Sequence, residues 1–146
     1  GAESKIIGDA TESGMVRFAA SRLLGNEEVE QFRDQFPKVL DMPFDSSRKW
    51  SLSIHKKRHA SGGLTIFIKG APERIIAKCS SALGKGGPED SPMIPAEQAF
   101  HRLYMSAYEE LAGRGERVLA CAMLELDGRD FPDDMEFTEE NFPQDG

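Results

Sequence analysis

The sequence is poor in several features that mark whole classes of protein. It has only two cysteines among 146 residues, too few for a disulfide framework, and nothing in it resembles a signal peptide. No apolar run approaches the ~20 residues that a membrane-spanning helix needs. These absences favour a reducing, cytosolic setting, and the length suits one domain with a core of its own.

Positive charge is also scarce. The chain has 18 basic and 25 acidic residues, a formal net charge of -7, which argues against a nucleic-acid partner. The excess of acid lies at one end, because residues 125–146 hold nine acidic residues and one arginine. The rest of the chain is nearly neutral, so an anionic ligand is not excluded there. Residues 125–146 are predicted to form an acidic connector.

Apolar periodicity and turn residues predict both helices and strands. Helices are expected from near Asp9 or Thr11, from Asn26 to before Pro37, over residues 71–79 and over about 95–112. Strands are expected at residues 38–44, 48–56, 64–69 and 116–126. Residues 80–95, rich in Gly, Pro and Ser, are expected to form a loop. This order of elements indicates an α+β domain.

Three sets of apolar residues are predicted to face the core. On the strand at residues 48–56 these are Trp50, Leu52 and Ile54. On the first helix they are Met15, Phe18, Ala19 and Leu23. On the last helix the spacing predicts a core stripe of Phe100, Leu103, Tyr104, Ala107, Tyr108 and Leu111.

The polar face of the predicted hairpin is the main candidate for chemistry. Lys49, Ser51 and Lys69 point the same way if the strands pair in ordinary register. Gly70 frees the backbone at the end of its strand and leaves room for a close approach. With Phe44 nearby, two ammonium groups could accept a flat aromatic ligand that carries phosphates. The alternative is a plain connection whose lysines are solvated and guard the strand edge.

Three other candidates are weaker. The segment "GKGGPEDS" lacks the GxxxxGK[ST] pattern of a phosphate-binding loop and is expected to be a solvated loop. His55 and His59 flank a turn, where their spacing does not indicate a metal site, and no metal is predicted. Cys121 lies within a predicted strand and is expected to be a buried, inert thiol.

Several motifs carry a family resemblance. "GDATES", "PFDSSRKWSLSIHK", "KGAPE" and "GERVL", in this order, resemble the nucleotide-binding domain of P-type cation-transporting ATPases, in particular the sodium/potassium-pump and gastric proton-pump subfamily. The resemblance runs from Gly8 to about Pro143. It implies a largely antiparallel sheet flanked by helices, with residues 1–146 as a single nucleotide-binding domain of a larger pump. Residues 125–146 would then connect toward the phosphorylation domain.

Seven residues match ATP-binding positions of that family: Glu12, Phe44, Lys49, Ser51, Lys69, Gly70 and Arg117. At the base end, the resemblance implies that Phe44 stacks on adenine and that Glu12 accepts a hydrogen bond from the adenine amino group. Ser51 departs from the family pattern, because sodium pumps usually show glutamine there.

At the phosphate end, Lys49 and Lys69 resemble the lysines beside the base and the phosphate chain, and Gly70 would leave space for the ligand. Arg117 resembles the arginine near the ribose and phosphates, where a planar guanidinium group suits phosphate oxygens.

The sequence contains neither "DKTGT", which carries the phosphorylated aspartate of the family, nor "TGDGVND", which helps bind Mg²⁺. The resemblance therefore implies a monomeric fragment that binds ATP and presents it to the phosphorylation domain without hydrolysing it. Mg²⁺ would be needed only in the full pump. There, the phosphorylation and actuator domains of the same chain would be partners at the cytoplasmic face of the plasma membrane.

Two alternatives remain. The chain could be a protein-interaction module of the pump with no significant nucleotide affinity of its own. A freestanding kinase-like enzyme would need catalytic and metal-binding carboxylates, for which the sequence offers no candidates.

Overall fold

The computed structural model describes residues 9–22, 26–57, 63–84, 92–129 and 136–138. The chain divides into two compact units, Gly1–Pro37 and Lys38–Gly146. The first contains helices α1 (Ala10–Arg22) and α2 (Asn26–Asp34). The second contains β1 (Lys38–Asp45), β2 (Trp50–Lys56), β3 (Gly63–Gly70), α3 (Pro72–Ile76), β4 (Ser81–Leu83), β5 (Met93–Pro95), α4 (Gln98–Gly113) and β6 (Ala120–Asp127).

Helix α1 begins directly after Asp9, which caps its first turn. The carboxylate of Asp9 accepts a hydrogen bond from the backbone N–H of Glu12, at 2.8 Å, which satisfies one of the unpaired donors of the first turn. Of the two predicted starting points, Asp9 and Thr11, the structure selects Asp9.

The inner face predicted for α1 is wrong. Phe18 is 64% exposed, Met15 is exposed as well, and no described residue of the helix is buried. The apolar residues of α1 are spread around the helix instead of forming one stripe. The Phe18 ring contacts the guanidinium group of Arg22, 5.5 Å from its centroid. Leu23 lies outside the described residues.

The second unit is built on a four-stranded antiparallel sheet in the order β1-β2-β3-β6. Together with the helices, it confirms the predicted α+β fold with a largely antiparallel sheet. Strands β2 and β3 form the predicted hairpin.

Alternate residues of these strands make the core. Trp50, Leu52 and Ile54 are buried as predicted, and Met42 of β1 and Leu64 of β3 join them in one cluster. Each fully buried aliphatic side chain of this kind stabilises the fold by about 1.5–3 kcal/mol relative to an exposed one. Phe137, from the segment predicted to be a connector, packs against the same cluster.

Helix α3 follows β3 almost at once and closes the core at that end. Pro72 occupies its first turn, as predicted, and Ile75 packs into the core cluster. The helix ends at Ile76, three residues earlier than its sequence suggested.

Two further expectations are corrected. Strands β4 and β5 pair with each other in the region expected to be a loop. Each has three residues, too few for an alternating pattern to show. On α4, the predicted core stripe is only half-buried at Phe100, Tyr104 and Tyr108.

Leu103 of α4 is 73% exposed, and Leu111 is exposed too, because α4 lies against α3 along only part of its surface. The Tyr104 hydroxyl donates to the carbonyl of Pro72, at 3.2 Å. Among the described helices, none is both long and apolar enough to cross a membrane.

Candidate functional site

The strand register gathers the predicted site residues at one end of the four-stranded sheet. The end row across the strands consists of Asp45, Trp50, Gly70 and Ala120. The next row consists of Ser51, Lys69 and Cys121. Ser51 and Lys69 are therefore direct cross-strand neighbours on one face, as their spacing predicted.

A tight turn built by Asp45 joins β1 to β2 at this end. The Asp45 carboxylate accepts hydrogen bonds from the hydroxyl of Ser47, from the N–H of Arg48 at 3.1 Å and from the N–H of Ser47 at 2.9 Å. These bonds, that of the Ser47 hydroxyl above all, hold the pKa of the Asp45 carboxyl below its ordinary value. An aspartate that bonds the backbone two and three residues ahead is a common way to fix a turn.

The turn ends at Lys49, whose backbone has an unusual conformation. Its φ of 62° lies in the left-handed region, which few residues other than glycine adopt. Two backbone hydrogen bonds hold it there. The Lys49 N–H donates to the carbonyl of Asp45 at 2.7 Å, and the Lys49 carbonyl accepts from the N–H of Ala71 at 3.0 Å. Because Lys49 lies in the turn and not in β2, strand alternation does not fix the direction of its side chain.

Gly70 allows this turn to approach β3. A Cβ atom at Gly70 would lie 2.7 Å from the Cα atom of Trp50 and closer still to the carbonyl oxygen of Lys49. The space that a side chain would occupy is therefore filled by the backbone of the turn. Its role in leaving room for a ligand stays a prediction.

The side chain of Lys49 is engaged by helix α3. Its ammonium group lies 3.8 Å from Oε1 of Glu73, and the two side chains are 51% and 37% exposed. The second carboxylate oxygen of Glu73 is buried and has no hydrogen-bond partner among the described residues.

Phe44 is displayed at the surface beside the turn. It is 62% exposed and lies where the β1–β2 register is irregular, between Met42 and Asp45. The adjacent Pro43 carbonyl accepts a hydrogen bond from the guanidinium group of Arg48, at 3.2 Å. An exposed aromatic ring on a backbone held in this way is suited to stacking on a flat ligand.

Cys121 differs from expectation. It is exposed, because β6 is an edge strand and Cys121 does not belong to the core face of the sheet. Burial by the surrounding atoms still raises the pKa of the Cys121 thiol, and the positive charge of Lys69 opposes that effect. The thiol thus lies next to a residue of the candidate site.

The other two predicted residues lie elsewhere in the chain. Arg117 is exposed in the connection between α4 and β6, three residues before Ala120 of the end row. Glu12 lies in the first turn of α1, in the first unit. The structure therefore groups five of the predicted residues directly: Phe44, Lys49, Ser51, Lys69 and Gly70.

Three residues of this region were missed by sequence reasoning. Asp45 was signalled only by the Asp-Ser-Ser run that follows a strand. Glu73 lies in the first turn of α3, where the helix dipole favours an acidic residue, so its position gave no sign of a role in the site. Cys121 required the β3–β6 register, which no local pattern contains.

Comparison with known proteins identifies the family of the chain. The family described as P-type ATPase, cytoplasmic domain N, matches residues 1–145 of the chain. The chain belongs to this family.

Relatives of this domain N are subunits of sodium/potassium-transporting ATPases. The alpha subunit of Tetronarce californica is 39% identical over 140 residues, covering 94% of this chain and 13% of that protein. The alpha-2 subunit of Bos taurus is 39% identical over 138 residues, and that of Homo sapiens 38%; each match covers 93% of this chain and 13% of the relative. The chain thus spans about an eighth of the length of these relatives.

Proposed function

We propose that this chain binds ATP and presents its γ-phosphate to the phosphorylation domain of a cation-transporting P-type ATPase. The observation that carries the proposal is the grouping of an exposed aromatic ring and two lysines at one end of the sheet. Phe44, Lys49 and Lys69 come from three different segments, and the turn and the register bring them together.

The residues present suit such a ligand. Phe44 offers a flat apolar surface for adenine, and base–aromatic stacking of this type contributes about 1 kcal/mol. Lys49 and Lys69 carry positive charge at the same end of the sheet, and Arg117 lies three residues before Ala120 of the end row. Cationic groups next to an exposed ring match the two ends of a nucleotide. The adenine contact of Glu12 stays a prediction from the family resemblance.

Presentation of ATP would be the contribution of these residues to the reaction. Phosphoryl transfer depends largely on positioning and on electrostatic stabilisation. The 146 residues contain no "DKTGT" motif, so the acceptor aspartate belongs to another part of the proposed pump. We therefore expect the isolated chain to bind ATP without hydrolysing it and to need no Mg²⁺ for binding. In the pump, the domain would lie on the cytoplasmic side of the membrane.

Calorimetry in EDTA tests the proposal. ATP should bind, and Lys69→Met should weaken it roughly fivefold, the effect of losing about 1 kcal/mol. Lys38→Met is the matched control, because Lys38 lies at the opposite end of β1 and pairs with Asp41. Equal effects of the two variants would contradict the assigned site. Absence of ATP binding would favour the interaction-module alternative.

A further inference from the structure

We propose that Glu73 sets the affinity of the ATP site by competing with nucleotide phosphates for the ammonium group of Lys49. The inference rests on the proposed function, since it takes Lys49 to be part of that site. The Glu73 carboxylate would act as an internal anion. It would lower the affinity for charged nucleotides, and a phosphate group would have to displace it from Lys49.

The geometry of the Lys49–Glu73 ion pair would allow a phosphate group to replace the carboxylate. Oε1 of Glu73 and Nζ of Lys49 are 3.8 Å apart, which is within Coulombic range but beyond a hydrogen bond. Both side chains are also partly exposed to water. Ion pairs of this kind are weakly held. A phosphate oxygen that approaches Lys49 could replace the carboxylate at little cost.

The backbone next to Glu73 is held in place by the packing of Pro72. Pro72 is buried, and its carbonyl accepts the hydrogen bond from Tyr104. One carboxylate oxygen of Glu73 is buried with no hydrogen-bond partner in the described part of the chain. Burial raises the pKa of the Tyr104 phenol, and the negative charge of Glu73 adds to that shift. A buried carboxylate oxygen without a partner is uncommon in native structures.

Lys49 does not need Glu73 to hold its backbone. The bonds to Asp45 and Ala71 fix the turn from both sides. Neutralising Glu73 should therefore free the ammonium group without moving the residue that carries it. That ammonium group is then available to a phosphate oxygen, which favours ATP and leaves uncharged adenosine unaffected.

The test is a double-mutant cycle by calorimetry in EDTA with ATP and adenosine as probes. Glu73→Gln should tighten ATP binding about two- to fivefold at low salt and leave adenosine binding unchanged. In a Lys49→Met background, Glu73→Gln should give no gain. Raising the salt concentration should shrink the gain, because partly exposed charges are screened. Glu125→Gln, which removes the carboxylate paired with Lys57 beyond the site rows of the sheet, should change nothing.

Several outcomes would overturn the inference. These are weaker or unchanged ATP binding by Glu73→Gln, an equal gain for adenosine, or a gain that persists with Lys49→Met. Glu73→Ala, with circular dichroism to verify folding, repeats the test if the first variant does not fold. If the unmodified chain binds no ATP, or if Lys49→Met binds it as tightly as the unmodified chain, the proposed site itself fails and the inference falls with it. Failure at Glu73 alone would leave the proposed function standing.

Discussion

Replacing Gly70 with alanine should both destabilise the fold and weaken the candidate site. The backbone of Gly70 is not in the left-handed region, so the added methyl group acts through contact alone. It would lie 2.7 Å from the Cα atom of Trp50, whereas ordinary contact begins at 3.4 Å. The turn and β3 must separate by at least the 0.7 Å difference between these two distances.

Two costs follow from that separation. Overpacking of a tight site costs about 1–3 kcal/mol. The hydrogen bond from Ala71 to the Lys49 carbonyl, at 3.0 Å, would be stretched beyond its useful range, which costs roughly 0.5–1.5 kcal/mol. Together they predict a loss of about 1.5–4.5 kcal/mol in the free energy of unfolding.

Urea denaturation followed by circular dichroism measures this loss. With a slope of about 1–3 kcal/mol/M, the midpoint should fall by roughly 1 M. Gly113→Ala is the control in the same unit, because a Cβ atom there meets nothing within 4 Å and alanine is favoured in a helix by up to ~1 kcal/mol. An unchanged midpoint for Gly70→Ala would refute the close approach of the turn to β3.

The remaining predictions concern ligand binding and pH. Phe44→Ala should weaken ATP and adenosine alike, about fivefold for a loss of ~1 kcal/mol in calorimetry. Arg117→Ala should weaken ATP about two- to fivefold and adenosine less, since its charge serves the phosphates; equal losses would contradict its place at that end. Saturating ATP should slow alkylation of Cys121, which lies opposite Lys69, as followed by mass spectrometry; an unaffected rate would argue against a ligand there. The pKa of Asp45 is depressed in the folded state, so its stabilising effect is present above the unfolded pKa of about 3.9 and is lost as the pH falls through the folded pKa. Asp45→Asn should therefore flatten the dependence of stability on pH in that acidic range, and an unaltered dependence would contradict the assigned bonds.

Features fixed by neighbouring residues could be predicted from the sequence. The alternation of Trp50, Leu52 and Ile54 identified both a strand and its buried face, because the side-chain period of a strand is built into its backbone. The start of α1 was placed near Asp9 or Thr11, because the side chain of a capping residue acts on the first turn that follows it. Most of the sheet and the hairpin followed from such local rules.

Features that depend on residues far away in the sequence could not be predicted from it. The exposure of Cys121 depends on β6 lying at the edge of the sheet, and the exposure of Leu103 depends on how little of α4 is covered by α3. Neither fact is written in the surrounding residues. A strand of three residues, such as β4, is also too short for its period to be recognised.

The candidate site also contains some features that the local sequence predicts and others that it does not. Ser51 and Lys69 were paired correctly from hairpin register. The left-handed backbone of Lys49 and its ion pair with Glu73 were not foreseen, because both result from the contact of the turn with the start of α3. The family resemblance supplied residue identities at these positions, but not the interactions that hold them.

A titration of the isotope-labelled chain with ATP in EDTA, followed by two-dimensional NMR, tests the central claim most directly. If the end of the sheet binds nucleotide, the backbone signals of Phe44, Lys49 and Lys69 should shift progressively and saturate, while that of Lys38 at the far end of β1 stays in place. Signals that do not move, or that move only far from the Asp45 turn, would contradict an ATP site at this end of the sheet.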